Sequence, residues 1–129
     1  MALIVLDASV VIGHLDPADA HHEAAVTALL SHAADDLRLP ASAYSETLVG
    51  PARKGRAHEA REKIKALSIL IEPLTEEMAE RASALRAKHR ALRLPDALVL
   101  ACGDALSADL VLTTDHRWSR WSKRAHAFG

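Results

Sequence analysis

The sequence predicts an α/β fold, a parallel sheet with helices on both faces. Three observations predict it. The runs Leu3-Ile4-Val5-Leu6 and Leu110-Val111-Leu112 are continuously apolar, as strands covered on both faces are. Between such runs lie stretches whose apolar residues recur at helical spacing. Strand and helix signals alternate, which implies right-handed crossovers rather than hairpins.

Taken in order, Leu3–Leu6 reads as a strand ending at Asp7, with Ser9 as the cap of a short helix through Val10-Val11-Ile12. Gly13 to Pro17 reads as a break, and Ala18 to Ala33 as a helix with Asp19 and Glu23 near its start. Leu37-Arg38-Leu39 is a second strand. Ser42 is placed to cap the helix bearing Tyr44, Glu46 and Leu48, which Gly50-Pro51 should break or bend. Arg56 to Leu67 is helical and Ile69-Leu70-Ile71 is a weak strand. Thr75 opens a long helix from about Glu76 to Ala91. Pro95 suits the first turn of the next helix, where a missing N–H costs nothing, and Asp96 complements its dipole. Leu110-Val111-Leu112 follows, closed by Thr113-Thr114-Asp115. A Trp-bearing tail ends in a short strand near Ala125–Phe128.

With 129 residues the chain is expected to form one domain, residues 1–129, with a single core. One cysteine, Cys102, excludes an internal disulfide framework and a Cys-based zinc site, and its apolar helix makes it a buried structural thiol. No signal peptide or membrane-spanning stretch is visible, so a cytoplasmic location is expected. The net charge of −1 hides an asymmetry. Residues 1–50 carry seven acids against one base (net −6), and residues 51–129 carry ten acids against fifteen bases (net +5). Such a division marks either a polyanion-binding face or solvated helix surfaces.

Topology converts this pattern into a site. In a parallel sheet, ligands bind outside the carboxyl ends of the strands. Asp7 and Asp115 follow strands, and Glu46 and Asp96 lie early in helices that start on that same edge. Four carboxylates therefore converge. Two of them about 4 Å apart repel by roughly 4 kcal/mol at an effective dielectric of 20. Protons or a divalent cation must compensate, and oxygen-only ligands point to Mg²⁺ or Mn²⁺. An open cluster of that kind suits metal-assisted hydrolysis of a phosphodiester.

The motifs LIVLDAS, SAYSETL, LPDALVLA and LVLTTD followed by Trp118 together resemble the PIN-domain ribonucleases, and the compact length resembles the VapC-type toxins of toxin–antitoxin pairs. The likeness covers almost the whole chain. Each motif alone is weak, but the order and spacing of all four are fairly specific. The resemblance implies a three-layer α/β/α sandwich around a central, mainly parallel sheet. It implies Mg²⁺- or Mn²⁺-dependent endoribonuclease activity on RNA, a homodimer, and a small cognate antitoxin that blocks the site. Asp7 and Asp96 match the principal metal ligands, and Glu46 an acid that ligates directly or through water. Asp115 matches the acid that binds a second metal or orients the attacking water. Ser9 and Thr113 or Thr114 match small hydroxyl positions that hold waters or phosphate oxygens.

Bland readings stand beside these. Asp7 and Asp115 can be turn formers, Asp96 a dipole-favoured helix starter and Glu46 a solvated helix residue. Asp104 lies too far along the helix from Asp96, about 12 Å, to share an ion. His21 and His22 diverge by about 100° on a helix and are expected to face solvent. His116 is a candidate phosphate or base contact, and Trp118 or Trp121 can stack on a base or pack beneath the site. Arg53, Lys54, Arg56, Arg61, Lys63, Lys65, Arg86, Lys88, Arg90 and Arg93 are candidates to hold an RNA backbone, line an antitoxin interface or face water. Two rival functions remain. One is a metal-dependent phosphatase or phosphoacceptor domain, which wants a second acid beside Asp7 where Ala8 and Ser9 stand. The other is a catalytically silent, antitoxin-bound module of a DNA-binding repressor complex.

Overall fold

A computed structural model describes all residues from Met1 to Gly129. The elements run β1 (Leu3–Leu6), α1 (Ala8–Leu15), α2 (His22–Ser31), β2 (Asp36–Pro40), α3 (Ala41–Arg53), α4 (Ala57–Ala66), β3 (Leu70–Glu72), α5 (Glu76–Lys88), α6 (Leu94–Ala105), β4 (Leu110–Thr113), a 3₁₀ turn (His116–Arg120) and β5 (Ala125–Ala127). All five strands are parallel, in the order β3-β2-β1-β4-β5. The sheet is thus fully rather than mainly parallel.

That order decides where a site can form. The chain winds outward from β1 to β2 to β3, then returns past β1 to lay down β4. Right-handed crossovers put α1–α4 on one face and α5–α6 on the other, giving the three layers. The reversal between β1 and β4 opens a crevice at their carboxyl ends. In register, Leu6 faces Leu112, so Asp7 falls opposite Thr113.

The core explains the apolar runs. Val5, Leu6, Val111 and Leu112 are buried on β1 and β4, as both-face coverage requires. Burying each such side chain stabilises the fold by about 1.5–3 kcal/mol. Helix α6 buries Ala97, Val99, Leu100, Ala101 and Cys102, small enough for the helix to lie close on the sheet. At Gly103 the approach is closest: an added Cβ would stand 2.6 Å from Val111 Cγ2.

Several local expectations need correction. Ser9 does not cap α1; Asp7 holds the cap position and the Ser9 hydroxyl turns back to it. Gly13 does not break that helix, which runs on to Leu15, because the missing side chain lets Ala25 of α2 approach. The following helix begins at His22 rather than Ala18, since Asp16 and Asp19 accept from Ala18 and His21 N–H groups and wind 16–21 into turns. Pro40, not Ser42, precedes α3, and Ser42 Oγ is buried without a partner. Gly50-Pro51 lies inside α3; only the last turn remains after Pro51, so a single lost backbone bond is tolerated there. The α5 cap is as expected, with Thr75 Oγ1 accepting from Met78 N–H at 3.1 Å.

Candidate active site

Asp7 is the anchor. It ends β1, is 8% exposed, and has one oxygen held on both sides. Ser9 Oγ donates to Asp7 Oδ2 at 2.7 Å and Thr113 Oγ1 donates to the same oxygen at 3.0 Å. Each hydroxyl also accepts a backbone N–H, Ser9 from Thr114 and Thr113 from Asp115. The end of β4 is thereby fastened to the end of β1. Oδ2 is committed to this network, and Oδ1 carries no side-chain partner.

The other acids arrive from separate elements. Asp96 lies in the first turn of α6, delivered by Pro95 and a crossover that starts on the carboxyl edge. Glu46 projects from α3 and is exposed. Asp115 caps the 3₁₀ turn through Arg117 N–H. Electrostatics records their proximity. Burial, and then the charge of Asp7, raise the Asp96 carboxyl to about 6, with Asp115 and Glu46 adding to the effect. Glu46 is raised by its partial burial and again by Asp7. Asp7 is raised by burial against the pull of its hydroxyl and backbone donors. Asp115 moves the other way, because the Arg117 side chain bonds to it.

The structure therefore gathers all four predicted acids around the β1/β4 crevice, but not in equal roles. No three of them converge at ligand distance on a common point. Like charges that repel by several kcal/mol at contact stand apart. The donor set is still the right chemistry for a hard cation: carboxylate oxygens only, one of them held by two hydroxyls and two carried on helices. A dication there would lower the raised carboxyls and reverse the repulsion.

Other candidates divide. Thr113 and Ser9 position Asp7 directly, while Thr114 contributes its backbone N–H rather than its hydroxyl. Trp118 is fully buried and packs in the core, so it is not a stacking platform. His116 is exposed. His22 does not simply face solvent: its Nδ1 lies 2.8 Å from Gly13 O, tying α2 to α1. Asp104 pairs with Arg124 at 3.3 Å and Asp109 accepts from Leu3 N–H, both outside the crevice. Lys54, Arg56 and Lys63 line a groove of about 380 Å³ that also contains Glu46. Arg86 and Arg90 line a different groove, between α5 and α6, that contains none of the acids. Arg93 acts on the cluster itself, offsetting the rise of both Glu46 and Asp96. Sequence reasoning missed Arg117. Its signal is the spacing Asp115-x-Arg117 at a helix start, where a side chain two positions on can reach back to a capping carboxylate.

The PIN-domain sequence profile matches residues 4–124. No curated protein matches the sequence. Among solved structures, a toxin–antitoxin complex from Klebsiella pneumoniae aligns with a TM-score of 0.76 at 23% identity, covering 96% of each chain. VapC20 of Mycobacterium tuberculosis, described as a sarcin–ricin loop cleaving toxin, aligns with a TM-score of 0.76 at 18% identity over 91% of this chain and 93% of that one. VapBC2 from Rickettsia felis, bound to a DNA fragment of its promoter, aligns with a TM-score of 0.78 at 12% identity over 98% and 99%. At these identities the likeness is one of fold.

Proposed function

The chain belongs to the PIN-domain family, and from that premise we propose that it is a Mg²⁺- or Mn²⁺-dependent endoribonuclease, the toxin of a toxin–antitoxin pair. The observation that carries the reading is the coupled set Asp7, Glu46, Asp96 and Asp115 at the β1/β4 switch point. Relatives in fold described as toxins and toxin–antitoxin complexes support the biological setting.

Asp7 and Asp96 would hold the ion directly, Glu46 directly or through water. When bound, the ion supplies Lewis-acid polarisation of the phosphate and a more acidic water. Ser9 and Thr113 keep Asp7 in one orientation, so that the carboxylate is set at the end of β1 without a search for rotamers. Hydrolysis joins the water oxygen to phosphorus and breaks one P–O bond to ribose, and the leaving oxygen takes a proton. Lys54 and Arg56 line the groove that contains Glu46 and suit the flanking phosphates, while Lys63 there is paired with Glu59 at 3.3 Å. Asp7 as a phosphoacceptor is disfavoured, since Ala8 and Ser9 stand where that chemistry wants a second acid beside it.

The same reading includes partners, a small antitoxin and a second copy of this chain. Half-exposed Leu74 and Leu94 flank the α5–α6 groove and give it an apolar face that a partner can cover. No helix is long and apolar enough to cross a membrane.

The test is cleavage of total cellular RNA by the purified protein with Mg²⁺, with Mn²⁺, with chelator, and with Asp96→Asn alongside. Discrete fragments that require metal and disappear in the variant are expected. Intact RNA from folded, antitoxin-free protein with either metal would overturn the activity.

A further inference from the structure

Arg117 is the charge in the crevice that a four-acid metal site leaves unexplained. Its guanidinium lies on Asp115: Nε donates to Oδ1 at 3.0 Å and Nη2 to Oδ2 at 2.7 Å. Its own backbone N–H donates to Oδ1 at 3.0 Å. Both oxygens of Asp115 are therefore committed. The planar fork that grips a carboxylate in this way fits a phosphate equally well. The Trp121 ring lies 6.0 Å from the guanidinium carbon and backs it. The Arg117 side chain is 53% exposed and its Nη1 carries no partner, so the guanidinium keeps Asp115 on one edge and offers the other to a second anion.

Charge balance gives the consequence. The four acids contribute −4, and Arg93 and Arg117, the two cations whose charge reaches Asp96 or its neighbours, contribute +2. One dication makes the cluster neutral. A second would leave it at +2 and would first have to remove Arg117 from both oxygens of Asp115.

We propose that Arg117 takes the place of a second metal ion: the cluster binds a single divalent cation at Asp7, Glu46 and Asp96, and the guanidinium held on Asp115 receives the phosphate of the bound RNA. Arg117 is then a substrate-binding residue, and Asp115 is the carboxylate that stores it in position. The proposal rests on the metal-dependent reading above and narrows it.

Calorimetric titration of the full chain with MnCl₂ tests the first half. One ion per chain is expected for the unsubstituted protein and for Arg117→Lys, which keeps the charge, and two for Arg117→Ala, which releases Asp115. Two ions in the unsubstituted protein, or a single ion in Arg117→Ala, would overturn the proposal and leave metal dependence standing. No ion in any form would overturn both. The second half is tested by the salt dependence of binding to a single-stranded oligoribonucleotide in chelator. Removing one phosphate contact should make the slope of log K against log salt shallower by about 0.7 in Arg117→Ala. An unchanged slope would remove Arg117 from the RNA.

Discussion

Thr113 Oγ1 donates a 3.0 Å hydrogen bond to Asp7 Oδ2, joining the ends of β1 and β4 across 106 positions of sequence. The bond lies at the strand reversal, beside the backbone bond from Asp7 N–H to Leu112 O at 2.9 Å. Thr113 is fully buried, and its oxygen also accepts Asp115 N–H at 3.1 Å. One hydroxyl thus orients one acid through its side chain and another through its backbone.

Thr113→Val keeps the shape and removes both bonds. Leaving Asp7 Oδ2 with one donor and Asp115 N–H with none should cost about 1–3 kcal/mol. Denaturant unfolding should report a lower midpoint at unchanged slope. If metal binding needs a preset Asp7, the variant should also bind Mn²⁺ more weakly, while Thr113→Ser should keep most of both properties. A stability equal to that of the original protein would show that the bond holds nothing in place.

A divalent ion that binds only the folded cluster must raise its melting temperature. At a hundredfold excess over the dissociation constant the gain is about 2.7 kcal/mol. Thermal melts with increasing Mg²⁺ or Mn²⁺ should rise in the unsubstituted protein and stay flat in Asp7→Asn and Asp96→Asn. Equal rises in all three would place the ion elsewhere.

These two sites also mark what was legible in the chain. Asp7 and Asp115 could be placed together because strand ends in a parallel sheet share an edge, a rule that needs only the order of elements. Asp96 and Glu46 followed from the same rule through the helices. The roles of Ser9, Thr113 and Thr114 were only half legible: the hydroxyls were predicted to hold waters or phosphate, and two of them hold Asp7 instead. That depends on rotamers set by packing, which spacing does not encode. Arg117 was signalled only by its spacing from Asp115, which is weak because a two-residue reach back to a cap is one of many contacts an exposed arginine can make. Element ends shifted where tertiary contact outweighed propensity, as at Gly13 and Gly50-Pro51, which are local helix breakers but lie inside helices here.

Gly103 should not tolerate a side chain. An alanine in a helix interior is normally preferred to glycine by about 1 kcal/mol. Here its Cβ would stand 2.6 Å from Val111 Cγ2, on a buried β-branched residue with little rotamer freedom. Overpacking of that kind costs about 1–3 kcal/mol, so Gly103→Ala should be net destabilising. Adding Val111→Ala should relieve the clash, and a double-mutant cycle should give a coupling of opposite sign to the single-site costs. A stabilised Gly103→Ala would mean that α6 lifts freely from the sheet.

Asp96→Asn should stabilise the protein while removing its activity, and the gain should depend on pH in one direction. The folded protein holds the Asp96 proton up to about 6, against an ordinary 3.8 for the unfolded chain. Between those values the folded state binds more protons than the unfolded one, so stability falls as pH rises through the window. The penalty is complete above about pH 6 and absent below about pH 4. Asparagine carries no charge to bury and escapes it. A shift of this size corresponds to about 3 kcal/mol, but Asp96 is only half-buried, and the helix dipole favours an acid in the first turn of α6. With solvent screening the net gain should be about 1 kcal/mol, or roughly 4 °C in melting temperature. Melts in chelator at pH 7.5 and at pH 4 measure it: the variant should lead at the higher pH and lose that lead at the lower. A lead of the same size at both would assign it to packing rather than to charge. Adding Mg²⁺ at pH 7.5 should reverse the order, because only the carboxylate gains from the ion.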